Sequence, residues 1–225
     1  MPTEKNKPSF KLETEIRSGG YFAIAGIDEV GRGALAGPIV AGAVIFSEEY
    51  YLDEKLSQKL VIPNSTKKGQ FINDSKKLTR EQREEFVSVI MEQAFDTGIG
   101  EVSAAEIDIM GIGKANILAF RRAIDNLKKC DFALIDGRHF RGFDVAYKTV
   151  EKGDSISISI AAASIIAKVY RDNLMSSIDD SIYDFANYKG YGNPEHIESI
   201  QKNGPGPYHR KSFIRNIYTN QDSLF

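Results

Sequence analysis

The sequence predicts a single domain of the α/β or α+β class, and three observations carry that expectation. Short aliphatic runs that end in glycine, an acid or a polar turn alternate with segments whose apolar residues recur at helical spacing. At 225 residues the chain is long enough for one substantial core. Its 42% hydrophobic and 27% charged content is that of an ordinary globular chain, and it carries no internal repeat. The domain is expected over residues 19–215, after a polar N-terminal tail at 1–18 and before a C-terminal tail at 216–225.

In chain order, YFAIAGI (21–27) reads as a strand preceded by Ser-Gly-Gly, and PIVAGAVIF (38–46) as a second buried strand forming a hairpin with it. Residues 47–73 are polar, contain Pro63 and the cluster NSTKKG, and read as a long surface insertion. Thr79 and Gln82 form a capping-box signature, opening a helix with Phe86, Val87, Ile90, Met91 and Ala94 on one face. AFDTGIGEV (94–102) is a third strand, and Ser103 with Glu106 is another capping box. A helix after Gly113 places Ile117, Phe120, Ile124 and Leu127 on one face. DFALID (131–136) is a strand ending in Asp136, followed at once by Gly137. FDVAYKTV (143–150) is another strand, and EKGD a turn carrying Asp154. SISIAAASIIAKVYRDNL is helical, its alanines allowing close approach to a sheet; from residue 186 the chain reads as loops and short helices.

Several function classes are disfavoured. No run approaches eighteen apolar residues, so no membrane span is expected, and the polar N-terminus lacks the apolar centre of a secretory signal. The single cysteine, Cys130, excludes an internal disulfide and a cysteine-cluster metal site. A cytoplasmic monomer is the expectation. The net charge of −2 by itself argues mildly against a nucleic-acid partner. Basic clusters recur at Lys67-Lys68, Lys76-Lys77, Arg121-Arg122, Lys128-Lys129 and His209-Arg210-Lys211, and most read as solvated faces. His139, His196 and His209 fall in polar loops outside any G-x-S-x-G or H-E-x-x-H pattern, and read as surface or hydrogen-bonding residues.

The stretch AGIDEVGRG (25–33) stands apart. An apolar strand ends in Asp28 and Glu29, and a Gly31-Arg32-Gly33 turn follows. It is either a solvated strand exit or one edge of a site for metal and phosphate. Its partial likeness to a Walker loop fails because the lysine and hydroxyl are missing. Asp28 and Asp136 both end apolar strands, and ligand groups in open α/β sheets gather at carboxyl ends of strands. Neighbouring strands lie about 5 Å apart, close enough for two such acids to share an ion. Oxygen-only ligands suit magnesium, and a pair of ions about 4 Å apart can clamp a phosphoryl displacement. Adjacent strand residues face opposite ways, so Asp28 and Glu29 are expected to converge only if the strand breaks there, with Gly31 as the reason. The turn's backbone N–H groups can then form an anion-binding nest.

GIDEVGRGALAGPIVAGAVI, NDSKKLT, LIDGRH, KGD followed by SIAAASIIAKVYRD, and KGYGNPEH occur in that order between about Tyr21 and Phe213. Together they resemble bacterial ribonuclease HII. Two departures are a longer 47–73 insertion and asparagine in YGNPEH where threonine is usual; neither touches the acids. The resemblance implies a ribonuclease H-like fold: a mixed five-stranded sheet flanked by helices, with a helical C-terminal extension. It maps four catalytic, metal-binding carboxylates onto Asp28, Glu29, Asp136 and Asp154; the last comes from the resemblance alone. The implied reaction is two-metal hydrolysis, with Mg2+ or Mn2+, 5′ to a ribonucleotide in duplex DNA or within RNA paired to DNA, leaving 3′-hydroxyl and 5′-phosphate ends. The backbone of Gly31, Arg32 and Gly33 would read the 2′-hydroxyl, and Tyr191 would stack beside the RNA–DNA junction. Ser75, Lys76, Lys77 and Asn116 are candidate phosphate contacts. The terminal QDSLF resembles a bacterial sliding-clamp docking motif through Gln221, Leu224 and Phe225. A non-catalytic adaptor would gain nothing from four clustered acids. A ribonuclease HIII relative would be expected to carry a further N-terminal domain, for which only about twenty residues precede the first strand.

Overall fold

The computed structural model describes residues 7–53, 56, 60–62, 70–72 and 75–218. Its first half runs α1 (Lys11–Ser18), β1 (Ile24–Val30), β2 (Ile39–Phe46), α2 (Glu48–Leu52), β3 (Val61–Ile62), β4 (Gln70–Phe71), α3 (Arg80–Gln93), β5 (Ala94–Val102) and α4 (Ala104–Met110). Then come α5 (Ile112–Asp125), β6 (Phe132–Asp136), β7 (Ala146–Val150), α6 (Ile158–Ser176), α7 (Phe185–Tyr188), α8 (Pro194–Asn203) and α9 (Lys211–Tyr218).

Five strands form one mixed sheet in the order β5-β2-β1-β6-β7. The expected hairpin is present: β1 pairs antiparallel with β2, which pairs antiparallel with β5. On its other side β1 runs parallel to β6, and β6 parallel to β7. Alternation along β1 sorts the core into two layers. Ile24, with Val44 and Leu134, packs under α6 through Ile160, Ala163 and Ile166. Ala25 and Ile27, with Ala43 and Ile135, pack under α5 through Ala115, Ala119 and Phe120.

Glycines set how closely the helices approach. A Cβ on Gly26 would lie 2.1 Å from the Ser159 carbonyl carbon of α6, and one on Gly100 would lie 2.0 Å from the Ala119 oxygen of α5. The alanine-rich reading of α6 holds for this reason. The same contact corrects the expected face of α5: Ala115, Ala119 and Ala123 press on the sheet with Phe120, whereas Ile117 and Ile124 are only half-buried. Both capping boxes form, at Thr79 with Gln82 and at Ser103 with Glu106. On α3 Phe86 and Ile90 are buried, but Met91 is exposed and Ala94 already begins β5.

Two segments are more structured than their polarity suggests. Within the expected N-terminal tail, Phe10 enters the core and α1 buries Glu13. The 47–73 stretch places Tyr50, Tyr51, Leu60 and Ile72 in the core beneath α6. The C-terminal segment forms a small cluster of its own, with Tyr183, Phe185, Ile200 and Ile214 packed on Ala36 and Met175. It is tied to the body at Asp108, whose carboxylate accepts from the backbone N–H groups of Lys211 and Ser212 at 2.8 and 2.9 Å. Among the described residues no helix is long and apolar enough to cross a membrane.

Candidate active site

Strand register brings the first two acids together. Ile27 of β1 pairs with Ile135 of β6, so one step further sets Asp28 level with Asp136 on adjacent parallel strands. Paired residues share a face, here the α6 side. After β7 the chain enters a single 3-10 turn, Gly153–Ser155, by way of Lys152 at φ 55°. The Gly153 N–H donates to Asp136 Oδ1 at 2.6 Å, which fixes the turn carrying Asp154 against the strand end.

The expected strand break between Asp28 and Glu29 does not occur. Glu29 still pairs with Ala41, and Val30 with Val40. The chain turns only at Gly31, at φ +87°. Glu29 therefore faces the α5 side, beside the buried Asn116 amide, which partly offsets the rise that burial imposes on its pKa. That amide has no partner at full hydrogen-bond geometry among the described residues, although it sits at 0% exposure. Because β6 stops level with Asp28, Glu29 lies past the end of its neighbour and still feels the Asp136 charge.

Burial and like charge act in the same direction on these acids. Asp28 is raised well above the usual carboxylate range by burial, then by Glu29 and Asp136; the Ser164 hydroxyl and the Glu29 N–H oppose this. Burial lifts Glu29 to about 7, Arg32 pulls it down and Asp136 pushes it up. Asp136 is raised by burial, countered by the Gly153 N–H, and Asp154 adds repulsion while Lys76 relieves it. An oxygen-only donor set short of positive charge fits a hard divalent cation in chemistry. Among the described residues, however, no group of three or more acid, histidine or cysteine side chains is already set around a point that an ion could occupy.

The glycine-arginine-glycine turn is held from behind. A Cβ on Gly31 would lie 2.2 Å from Arg171 Nε. Arg171, fully buried, donates to the carbonyls of Pro38, Lys189 and Ala36 at 2.9–3.0 Å. Arg210, also fully buried, donates to those of Gly37 and Arg32 at 2.9 and 3.1 Å. Burial and the neighbouring Arg171 lower its pKa to about 9, so it remains a cation near neutrality. With the Arg32 carbonyl turned toward Arg210, the turn leaves Arg32 and Gly33 exposed, and among the described residues their N–H groups have no backbone acceptor.

The other sequence candidates fall in distinct places. Ser75 is buried, and its hydroxyl lies 2.9 Å from that of Ser164, which serves Asp28; it supports the acids from behind. Lys76 is exposed and close enough to relieve Asp136. Lys77 ends the 3-10 turn Ser75–Lys77, its side chain outside the described set. Tyr191 is half-buried, with the Arg171 guanidinium 5.1 Å and the Lys168 ammonium 5.6 Å from its ring centroid. Gln221, Leu224 and Phe225 lie outside the described residues. Sequence reasoning missed Ser164, Arg171 and Arg210; the one available signal was that Arg171 lies on the helix whose alanines were read as packing against the sheet. Of the two readings offered for His196 and His209, surface or hydrogen-bonding, the second holds: both rings are buried and hydrogen-bonded, and His196 lies in α8 instead of a loop.

A mixed sheet whose central parallel strands end in paired acids, covered by helices on both faces, defines a nuclease of ribonuclease H-like architecture. The family model described as Ribonuclease HII matches residues 25–220. A Ribonuclease HII of Clostridioides difficile (strain 630) is 45% identical over 209 residues, covering 92% of this chain and 75% of that protein. The ribonuclease H2 of Pyrococcus horikoshii OT3 superposes with a TM-score of 0.67 at 24% identity, over 88% of this chain and 97% of that one. A PCNA:RNase HII complex from Archaeoglobus fulgidus gives 0.65 at 24%, over 86% and 96%. A Bst-RNase HIII in complex with Mn2+ gives 0.61 at 20%, over 82% and 63%. These structures establish the shared fold. The chain belongs to the ribonuclease HII family, and with it to the endoribonucleases of ribonuclease H type 2.

Proposed function

We propose that this enzyme hydrolyses the phosphodiester 5′ to a ribonucleotide embedded in duplex DNA, and the RNA strand of RNA/DNA hybrids, leaving 3′-hydroxyl and 5′-phosphate ends. The observation that carries this reading is the level pairing of Asp28 with Asp136 at the open end of β1 and β6, beside Glu29 and the Asp154 turn. Asp28, Glu29, Asp136 and Asp154 would hold two divalent cations, Mg2+ or Mn2+. When bound, these would acidify the attacking water and offset charge on the departing O3′. The structure of the HIII relative with Mn2+ supports the choice of ion.

The chain's own groups supply the rest. Holding the cations, the four acids would set the point at which the scissile phosphate can be bound. The exposed N–H groups of Arg32 and Gly33 donate to the 2′-hydroxyl, which is what separates RNA from DNA at a given position. Gly31 allows the turn that presents them. Tyr191 stacks on the sugar or base at the RNA–DNA junction, its ring polarised by Arg171. Lys76 and Lys77 approach flanking phosphates. Ser75 and Asn116, buried behind Asp28 and Glu29, position those carboxylates instead of touching substrate.

In the cell this activity removes ribonucleotides from DNA during repair and replication. The Q-x-x-L-F terminus, Gln221, Leu224 and Phe225, would bring the enzyme to the sliding clamp; a PCNA complex of a structural neighbour supports that partner. A cytoplasmic monomer completes the reading. The experiment is a duplex with one embedded ribonucleotide, labelled at both ends, incubated with Mg2+ or Mn2+. A single incision on the 5′ side of the ribonucleotide is expected. Cutting on its 3′ side, or equal cutting of an all-DNA duplex, contradicts the proposal.

A further inference from the structure

His196 opens α8 and His209 lies in the connection to α9; they are 0% and 3% exposed. Tyr183 and Phe185 enclose them, with ring centroids 4.5 Å from His209 and 5.6 Å from His196 respectively. Their Nε2 atoms are 2.9 Å apart. His196 Nδ1 lies 2.8 Å from the Tyr191 carbonyl oxygen, and the Gly206 N–H donates to His209 Nδ1 at 2.9 Å.

One proton arrangement satisfies these three contacts and leaves only the longer approach of His209 Nδ1 to the Gly206 carbonyl oxygen, 3.3 Å, without a proton. A carbonyl only accepts, so His196 carries its proton on Nδ1 and must accept at Nε2. His209 then carries its proton on Nε2 and accepts at Nδ1, which is what the Gly206 N–H supplies. Burial lowers both pKa values, that of His209 to about 4, so both rings are neutral near pH 7. The relay ends on a carbonyl that also accepts from the Asn193 N–H at 3.0 Å, which uses both of its lone pairs. The preceding residue, Gly190, accepts from Leu35 and Ala36 of the loop that follows the glycine-arginine-glycine turn. Tyr191 is thus held by its backbone from the histidine side, while its ring faces Arg171.

We propose that His196, oriented by His209, is a positioning residue for substrate discrimination, because its Nδ1–H bond to the Tyr191 carbonyl fixes the aromatic ring beside the RNA–DNA junction. This rests on the reading of Tyr191 given above. The test compares His196→Asn with His196→Gln. An asparagine amide reaches the Nδ1 position and keeps a donor for Tyr191 while abandoning His209. A glutamine amide reaches the Nε2 position, keeps a partner for His209 and abandons Tyr191. Both remove the ring, so a merely structural role lowers melting temperature and activity in both alike.

The readout is the ratio of kcat/KM on a single-ribonucleotide duplex to that on an RNA/DNA hybrid. We expect a fall of about tenfold for His196→Gln, the scale of one net hydrogen bond, and a change within about twofold for His196→Asn. Equal changes in the two variants overturn the proposal and leave Tyr191's role standing. Tyr191→Ala is the control: an unchanged ratio there removes the reading of Tyr191 and the inference with it. Should either histidine variant fail to fold, imidazole nitrogen chemical shifts of the wild-type enzyme decide. A proton on His196 Nδ1 and on His209 Nε2 supports the relay, and the opposite tautomer on either ring overturns it.

Discussion

Asp28 and Asp136 are neighbours because two parallel strands pair in register, whereas the 31–38 loop beside them is held by two guanidinium groups arriving from residues 171 and 210. The first region rests on a backbone ladder and on helices pressed close through strand glycines. The second rests on side chains that bond carbonyls more than 130 positions away in sequence. The acid end can exchange a charged oxygen for an amide and keep its architecture, because the ladder does not pass through the carboxylates and an amide oxygen at 136 can still accept from the Gly153 N–H. The loop end cannot lose a guanidinium without leaving buried carbonyls unpaired. Chemistry and scaffold are separable in one half of the site and the same thing in the other.

The largest expected effect separates them most sharply. Asp28→Asn or Asp136→Asn should lower kcat by about a thousandfold or more, since cation-based charge stabilisation is worth several kcal/mol. The fold should persist with an unchanged or higher melting temperature, because each substitution removes a buried charge that its neighbours repel. Steady-state cleavage and thermal melts of the same preparations check both halves of that statement. Near-normal turnover in either variant would remove these acids from the chemistry.

A pH series probes the same burial and like-charge repulsion without mutation. Glu29 is lifted from its ordinary 4.5 to about 7 in the folded chain, and Asp28 and Asp136 are lifted as well. A folded-state pKa above the unfolded one means that the native state binds the proton more tightly. The Glu29 contribution to stability is therefore full below about pH 4.5 and is lost as pH rises through about 7, and those of Asp28 and Asp136 change in the same direction. The Glu29 shift alone corresponds to about 3 kcal/mol, or about 6–12 °C in melting temperature for a chain of this size. In chelator the melting temperature should fall over that window. Mn2+ or Mg2+ should restore it at pH 8, and Glu29→Gln should flatten part of the decline. A pH-independent melt in chelator would show that the acids are neither desolvated nor set against one another.

The loop half responds differently. Arg171→Lys retains a cation but at best one of three carbonyl bonds, so stability should drop by about 2–3 kcal/mol at roughly 1 kcal/mol per net hydrogen bond. Because the acids are untouched, KM on the single-ribonucleotide duplex should rise more than kcat falls. A variant that lost kcat alone would tie the loop to the acid centre more tightly than the bonding pattern implies.

What the sequence disclosed follows the same division. Short aliphatic runs bounded by turn residues marked the five strands, and capping residues both capped helices, because those signals are local. Asp28 and Asp136 stood out as acids closing apolar runs. Asp154 did not: it sits in a turn located by one backbone bond to Asp136, and only the family resemblance pointed to it. The inferred break after Asp28 was wrong because strand pairing with β2 outlasts pairing with β6, a register fact absent from local pattern. Arg171, Arg210 and the two histidines were illegible for a related reason. A basic or imidazole side chain in a polar stretch looks solvated until a distant loop is folded over it.

The smallest expected effect concerns residues 221–225, which lie outside the described residues. Residues 221–225 follow α9, the last described element, whose anchor to the body is Asp108 at its first turn. Neither the acid register nor the guanidinium contacts draw on anything beyond residue 218. Deleting 221–225 should therefore leave kcat/KM on an isolated short duplex within about twofold, below the roughly 0.5 kcal/mol expected of changes remote from a site. Binding to purified sliding clamp, followed by surface-based association, should disappear. Unchanged binding would assign any clamp contact to the folded body, whereas a large loss of activity on the free duplex would mean that the terminus reaches the substrate itself.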